Sequence, residues 1–157
     1  MRRTFLILSL SFLLAGTDSC IKDKGCQNKT IQSEDAAMTA FATNNGMIVA
    51  QHSSGMYYQI ISSGSGATPV SSSTISVKYT GKRLDGTVFD NTYATTATSL
   101  YPLAGFIPGW QLGIPLIKKG GMIKLIIPSS LAYGCQGGGP IAGNTILYFE
   151  IELVDVQ

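Results

Sequence analysis

The chain has 157 residues, 45% of them hydrophobic and only 13% charged, which is enough for one real core with extensions. Setting aside Arg2, Arg3 and Asp18 with an N-terminal leader takes eleven basic and nine acidic residues to nine and eight, a charge near +1. With no basic run beyond the pairs Lys82-Arg83 and Lys118-Lys119, there is no electrostatic footprint for nucleic acid.

Residues 1–19 read as a secretory signal. Met1-Arg2-Arg3 is positive, and Thr4 to Leu14 is an apolar run too short to span a bilayer. Cys20 follows Ser19 just past that run, where bacterial lipoproteins carry their lipid-modified cysteine, although Thr17 and Asp18 depart from the usual residues before it. Lipidation of Cys20 on an envelope membrane is the expectation, and ordinary cleavage to a soluble periplasmic product is the alternative. If Cys20 carries lipid, Cys26 and Cys135 are left as an even pair in an oxidising compartment: a disulfide or two thiols. His52 is the sole histidine and no C-x-x-C spacing occurs, so neither a metal site nor a cofactor is expected.

Residues 20–32 read as a tether. Ser33 suits a helix cap, Glu34 and Asp35 suit the positive end of its dipole, and Asn44-Asn45-Gly46 suits its end. Met47 to Ala50 has strand character, and His52 to Gly55 is a turn, so residues 33–54 form a helix-and-strand extension. Residues 55–157 are the main domain. Strands are expected at Met56–Ile61 and at Ile75–Thr80, where Ile75, Val77 and Tyr79 alternate inward against Ser76, Lys78 and Thr80. Asp85-Gly86 is a hairpin signal leading to Thr87-Val88-Phe89, and Asp90 to Ser99 reads as a surface loop.

Phe106 to Ile114 organises the rest. Pro108 suits the first turn of a helix, Ile107, Trp110 and Ile114 share one face, and Pro115 should end it. So short a helix needs a sheet over it to bury an indole. Strands at Met122–Ile127 and Thr145–Val156 supply one, the latter with Leu147, Phe149, Ile151 and Leu153 inward. The expected fold is α+β: a curved antiparallel sheet of about five strands wrapped over one short helix, with Trp110 flooring an apolar pocket.

From about Gly55 to Val156 the chain resembles the FKBP-type peptidyl-prolyl cis-trans isomerases. The resemblance rests on V-K-Y-T-G at Val77–Gly81, D-G-T-V-F-D at Asp85–Asp90, F-I-P-G-W at Phe106–Trp110, L-A-Y-G at Leu131–Gly134 and F-E-I-E-L at Phe149–Leu153. All five occur in order with family spacing. The resemblance implies a pocket with Tyr79, Phe89 and Phe149 as aromatic walls and Trp110 as floor. Phe106 and Ile107 match an apolar pair, the Ile107 N–H binding a substrate carbonyl. Tyr133 matches a tyrosine whose hydroxyl bonds the ligand backbone, and Asp90 an acid at the pocket edge. Ile141 matches an apolar residue of an overhanging loop, and Tyr101 lines the side.

Three departures stand out. No base follows Asp90 in Thr92 to Thr96, Ala142-Gly143 replaces a pair of prolines, and Ser99 stands where an aromatic is common. The implied partners are unfolded or exported proteins with X-Pro bonds and a macrolide ligand. Two alternatives stay open: a module that holds proline segments without turnover, and a structural lipoprotein that uses only its outer surface.

Overall fold

The computed structural model describes residues 25–93 and 99–157; the leader, Cys20 and the middle of the Asp90–Ser99 loop lie outside the described residues. Helix α1 spans Ile31–Asn44. Its cap is Thr30, not Ser33: the Thr30 side chain accepts the Ser33 N–H, so Ser33 is already inside the first turn. Gly46 takes a left-handed φ of 62° just past the helix end.

Among the described residues seven strands form one antiparallel sheet, where about five were expected. They are β1 (Ala50–Gln51), β2 (Tyr57–Ser62), β3 (Thr74–Arg83), β4 (Val88–Asn91), β5 (Tyr101–Pro102), β6 (Met122–Ile127) and β7 (Leu147–Val156). The order is β1-β2-β6-β7-β3-β4, with β5 also paired to β3. Two of the strands are two residues each: β5, held by Thr74 and Ile75 opposite Pro102 and Tyr101, and β1, which replaces the strand expected at Met47–Ala50 because the Met47 N–H donates back to the Ala42 carbonyl and only Ala50 and Gln51 reach β2. Asp90 and Asn91, expected in a loop, are strand residues opposite Gly81 and Thr80. The Thr92 N–H continues that pairing by donating to the Tyr79 carbonyl at 2.9 Å.

β7 lies between β3 and β6, and its alternation is the backbone of the core. Leu147, Phe149, Ile151 and Leu153 are each at most 3% exposed. Ser76 was expected outside but is buried. The ladder slips between Ser76 and Val77, which breaks the two-residue alternation there.

The organising helix forms as α2, Pro108–Gly113, with Ile107 as its cap and Pro108 at its first position. Pro115 does not end the structure outright; the chain tightens into a 3-10 turn over Ile114–Leu116, which tolerates a proline near its start. α2 lies directly on β6. A Cβ at Gly109 would sit 2.5 Å from Ile127 Cγ2, and one at Gly113 2.7 Å from Leu125 Cδ1, so only glycine permits that approach.

The opposite face of the sheet is also covered. α1 lies across it, and Met38, Ala42 and Met47 bury with Ile126 and Tyr148 into a second core. Glu34 turns inward and is buried, while Asp35 accepts the Tyr57 hydroxyl at 2.8 Å.

Candidate active site

The site lies between α2 and the inner face of β3, β4 and β7. Pro108 and the Ile107 carbonyl, which accepts from Trp110 and Gln111, start α2 so that the Trp110 indole is presented to the sheet. The Gln111 side chain donates to the Phe106 carbonyl at 2.7 Å and fixes the approach to the helix. Around the indole the rings make a box. Phe106 stacks on it at 4.9 Å, and Tyr79 and Phe149 meet it edge-on at 4.9 and 5.2 Å. Phe89 adds an edge contact to Phe149 at 5.6 Å. Each such pair contributes about 0.5–1.5 kcal/mol beyond its buried area, so the box is self-supporting.

These rings enclose a cavity of about 200 Å³, also lined by Asp90, Gly105, Ile107 and Tyr133. That volume suits one small ring rather than a drug-sized ligand, for which pockets run to about 300–1,000 Å³. Its polar atoms are few. The Tyr79 hydroxyl donates to Asp90 Oδ2, and burial first, then the Asp90 carboxylate, pushes the Tyr79 phenol well above its ordinary value. Tyr79 is therefore a neutral, fixed wall at any physiological pH. Tyr133 is 42% exposed, and among the described residues its hydroxyl has no hydrogen-bond partner. The Ile107 N–H likewise donates to no backbone carbonyl among them.

The structure thus brings together Tyr79, Phe89, Asp90, Phe106, Ile107, Trp110, Tyr133 and Phe149. Two expected members stand apart from the lining. Ile141 is 5% exposed and packed in the main core, and Tyr101 is 56% exposed at the rim, 6.3 Å from Phe106. Cys26 and Cys135 are joined in a disulfide with their Cα atoms 5.5 Å apart. Among the described residues no three His, Cys, Asp or Glu side chains group as a metal site, and no helix is long and apolar enough to cross a membrane.

Gly81 is a site residue that sequence reasoning passed over. It faces Phe149 across the ladder, and a Cβ there would lie 2.6 Å from Phe89 Cζ and 2.9 Å from Phe149 Cε1. The gap it leaves lets the two rings close together. Its place at the end of V-K-Y-T-G was the available signal.

A larger open hollow of about 470 Å³ lies between α1 and the turn at His52–Gly55. It is polar, and no Phe, Tyr or Trp lines it. Asp35 there already holds Tyr57, and His52 Nδ1 is 2.9 Å from Ser54 Oγ. The aromatic cavity is the better candidate.

Comparison with known proteins decides the family. The pattern of the FKBP-type peptidyl-prolyl cis-trans isomerases matches residues 66–154. The chain belongs to that family. It is 44% identical over 117 residues to the FKBP-type peptidyl-prolyl cis-trans isomerase FkpA of Escherichia coli, covering 74% of this chain and 43% of that protein. It is 36% identical over 146 residues to the outer membrane protein MIP of Legionella longbeachae, covering 92% of this chain and 61% of that one. The crystal structure of FkpA from Escherichia coli superposes with a TM-score of 0.72 at 39% identity, over 81% of this chain and 61% of that one. A peptidyl-prolyl isomerase from Pseudomonas syringae gives 0.67 at 28% identity, over 83% and 98%. The chain therefore spans between two-fifths and two-thirds of the length of these two curated relatives.

Proposed function

We propose that this FKBP-family chain catalyses cis-trans rotation of X-Pro peptide bonds in exported proteins of the bacterial envelope. The observation that carries the reading is the aromatic box over Trp110 with two unengaged donors, the Tyr133 hydroxyl and the Ile107 N–H, beside it.

The barrier to rotation is about 18–20 kcal/mol and comes from amide resonance. Resonance makes the planar amide more polar than the twisted one. A box of rings that excludes water penalises the polar planar form more than the twisted form, which lowers the barrier. The proline ring enters over the indole. The Ile107 N–H and Tyr133 hydroxyl take carbonyls of the substrate backbone and hold the chain on either side of the rotating bond. Asp90 fixes Tyr79 at the rim, and Tyr101 flanks Phe106 from outside the lining. No nucleophile is needed. The same cavity would accept one small ring carried by a macrolide ligand, with the macrocycle itself left outside.

For localisation, the leader and Cys20 support an envelope protein held to a membrane by lipid, and the relative MIP is by name an outer membrane protein, which supports the membrane though not the lipid. A second reading is a client-binding module without turnover. The residues after Asp90 favour it, since Thr92 to Thr96 include no base to pair with the carboxylate.

A protease-coupled assay of the full chain on a proline-containing tetrapeptide tests the proposal. The expected result is saturable acceleration of cis-to-trans conversion. Saturable binding of the peptide with no acceleration at any enzyme concentration selects the binding module and overturns the catalytic reading.

A further inference from the structure

The loop that carries Tyr133 is fastened from outside at three places, all by the N-terminal segment. At its start, the Ser129 N–H donates to Glu34 Oε2 at 2.8 Å, across 95 residues of sequence. Glu34 is 2% exposed and Ser129 fully buried, so this bond is out of water's reach. Ser129 is where the following turn closes: its carbonyl accepts from Ala132 at 3.1 Å and from Gly134 at 2.8 Å. Glu34 therefore grips the residue around which Tyr133 is wound.

In the middle, Cys135 is bonded through sulfur to Cys26, and its N–H donates to Asn28 Oδ1 at 2.7 Å. At the end, Asn144 holds the segment as a strand neighbour would. Its Oδ1 accepts the Lys29 N–H and its Nδ2 donates to the Gln27 carbonyl, both at 3.0 Å. Its own N–H donates to the Gly134 carbonyl at 2.8 Å, which closes the loop on itself. Asn144 is the one non-glycine residue with positive φ among the described residues, at 56°. That backbone normally favours glycine, and the paired amide bonds give a reason for asparagine there.

Glu34, Asn28, Asn144 and the disulfide are all absent from the cavity lining. Whatever they do for a bound chain they do through Tyr133, whose hydroxyl is carried on the loop they fasten. We propose that residues 26–34 are a positioning element of the site, with Asn28, Glu34 and Asn144 as positioning residues that hold the Tyr133 hydroxyl ready for substrate. A loop ordered in advance leaves less ordering to be done on binding. The kinetic part of this inference rests on the isomerase reading; the positional part rests on the contacts alone.

The test uses the full chain. Asn144→Gly keeps the left-handed backbone and removes only the amide. Glu34→Ala removes the acceptor, and Glu34→Gln retains one. For each, kcat and KM are measured on the proline tetrapeptide, and amide hydrogen exchange is followed at residues 131–144, with the central strands as the measure of intact folding. Asn144→Gly and Glu34→Ala are each expected to raise KM about three- to tenfold with little change in kcat, the signature of lost ground-state positioning. Exchange should quicken in 131–144 alone, and Glu34→Gln should restore both readings. Asn28→Ala, on the surface segment, takes the place of Glu34→Ala if that variant does not fold. Unchanged exchange in the loop, or faster exchange with unchanged KM, overturns the proposal. If the parent protein turns over no proline peptide, the functional reading fails, and loop exchange together with tetrapeptide affinity still decides the positioning.

Discussion

Tyr133 and the buried phenols set the behaviour of this protein residue by residue. On the proposed reading, removing the Tyr133 hydroxyl as Tyr133→Phe deletes one substrate hydrogen bond and nothing that the described residues use internally. Such a bond is worth about 0.5–1.5 kcal/mol, so kcat/KM should fall about two- to twelvefold with the melting temperature unchanged. An unchanged kcat/KM would remove Tyr133 from the site. Tyr79 and Tyr148 make a pH prediction. Burial, and then the hydrogen bond to Asp90 or Glu150, raises both phenols above the ordinary value of 10.0. The folded protein therefore binds more protons than the unfolded chain above that value. Their contribution to stability is complete below pH 10.0 and is lost as pH rises further. Urea midpoints taken from about pH 8 to 11 should decline at the alkaline end, and Tyr148→Phe should decline less steeply. Identical slopes would contradict the assignment.

Among the elements, α2 depends on the glycines beneath it. Gly109→Ala would gain about 0.5–1 kcal/mol of helix preference but drive a methyl to 2.5 Å from Ile127 Cγ2, a fully buried, β-branched and stiff neighbour. Overpacking of about 1–3 kcal/mol should win, and the urea midpoint should fall. A midpoint at or above the parent value would show that α2 is free to shift. The elements also show what the sequence made legible. α2 was readable because Pro108 and Pro115 bracket it, and the inward set of β7 because its alternation is uninterrupted. The other face of the sheet was not. Alternation marks Tyr148 and Ile126 as the face away from the first core, and nothing local says that α1 will cover that face as well. The site's rings were readable through motif spacing. Of its supports, Glu34 and Asn144 were not, because each acts on a partner distant in sequence, and Gly81 was marked only by its place in V-K-Y-T-G, since the strand register sets its partner.

For the whole molecule, the N-terminal extension is part of the fold rather than an appendage. α1 closes the rear of the sheet, and Glu34 bonds the Ser129 N–H at the start of the loop that carries Tyr133. Met38 is fully buried at the centre of that rear core, so Met38→Ala should cost about 2–5 kcal/mol, read from chemical denaturation. A cost near zero would mean that α1 contributes no packing. One hollow lined by rings from β3, β4, α2 and β7 is the claim on which function rests, and Trp110, the sole tryptophan, sits at its floor. Its fluorescence therefore reports directly on occupancy. Titrating the full chain with the proline tetrapeptide should change the Trp110 emission saturably, with a midpoint matching KM, while the peptide with alanine in place of proline leaves it unchanged. Turnover of the proline peptide with a silent Trp110 would contradict the account.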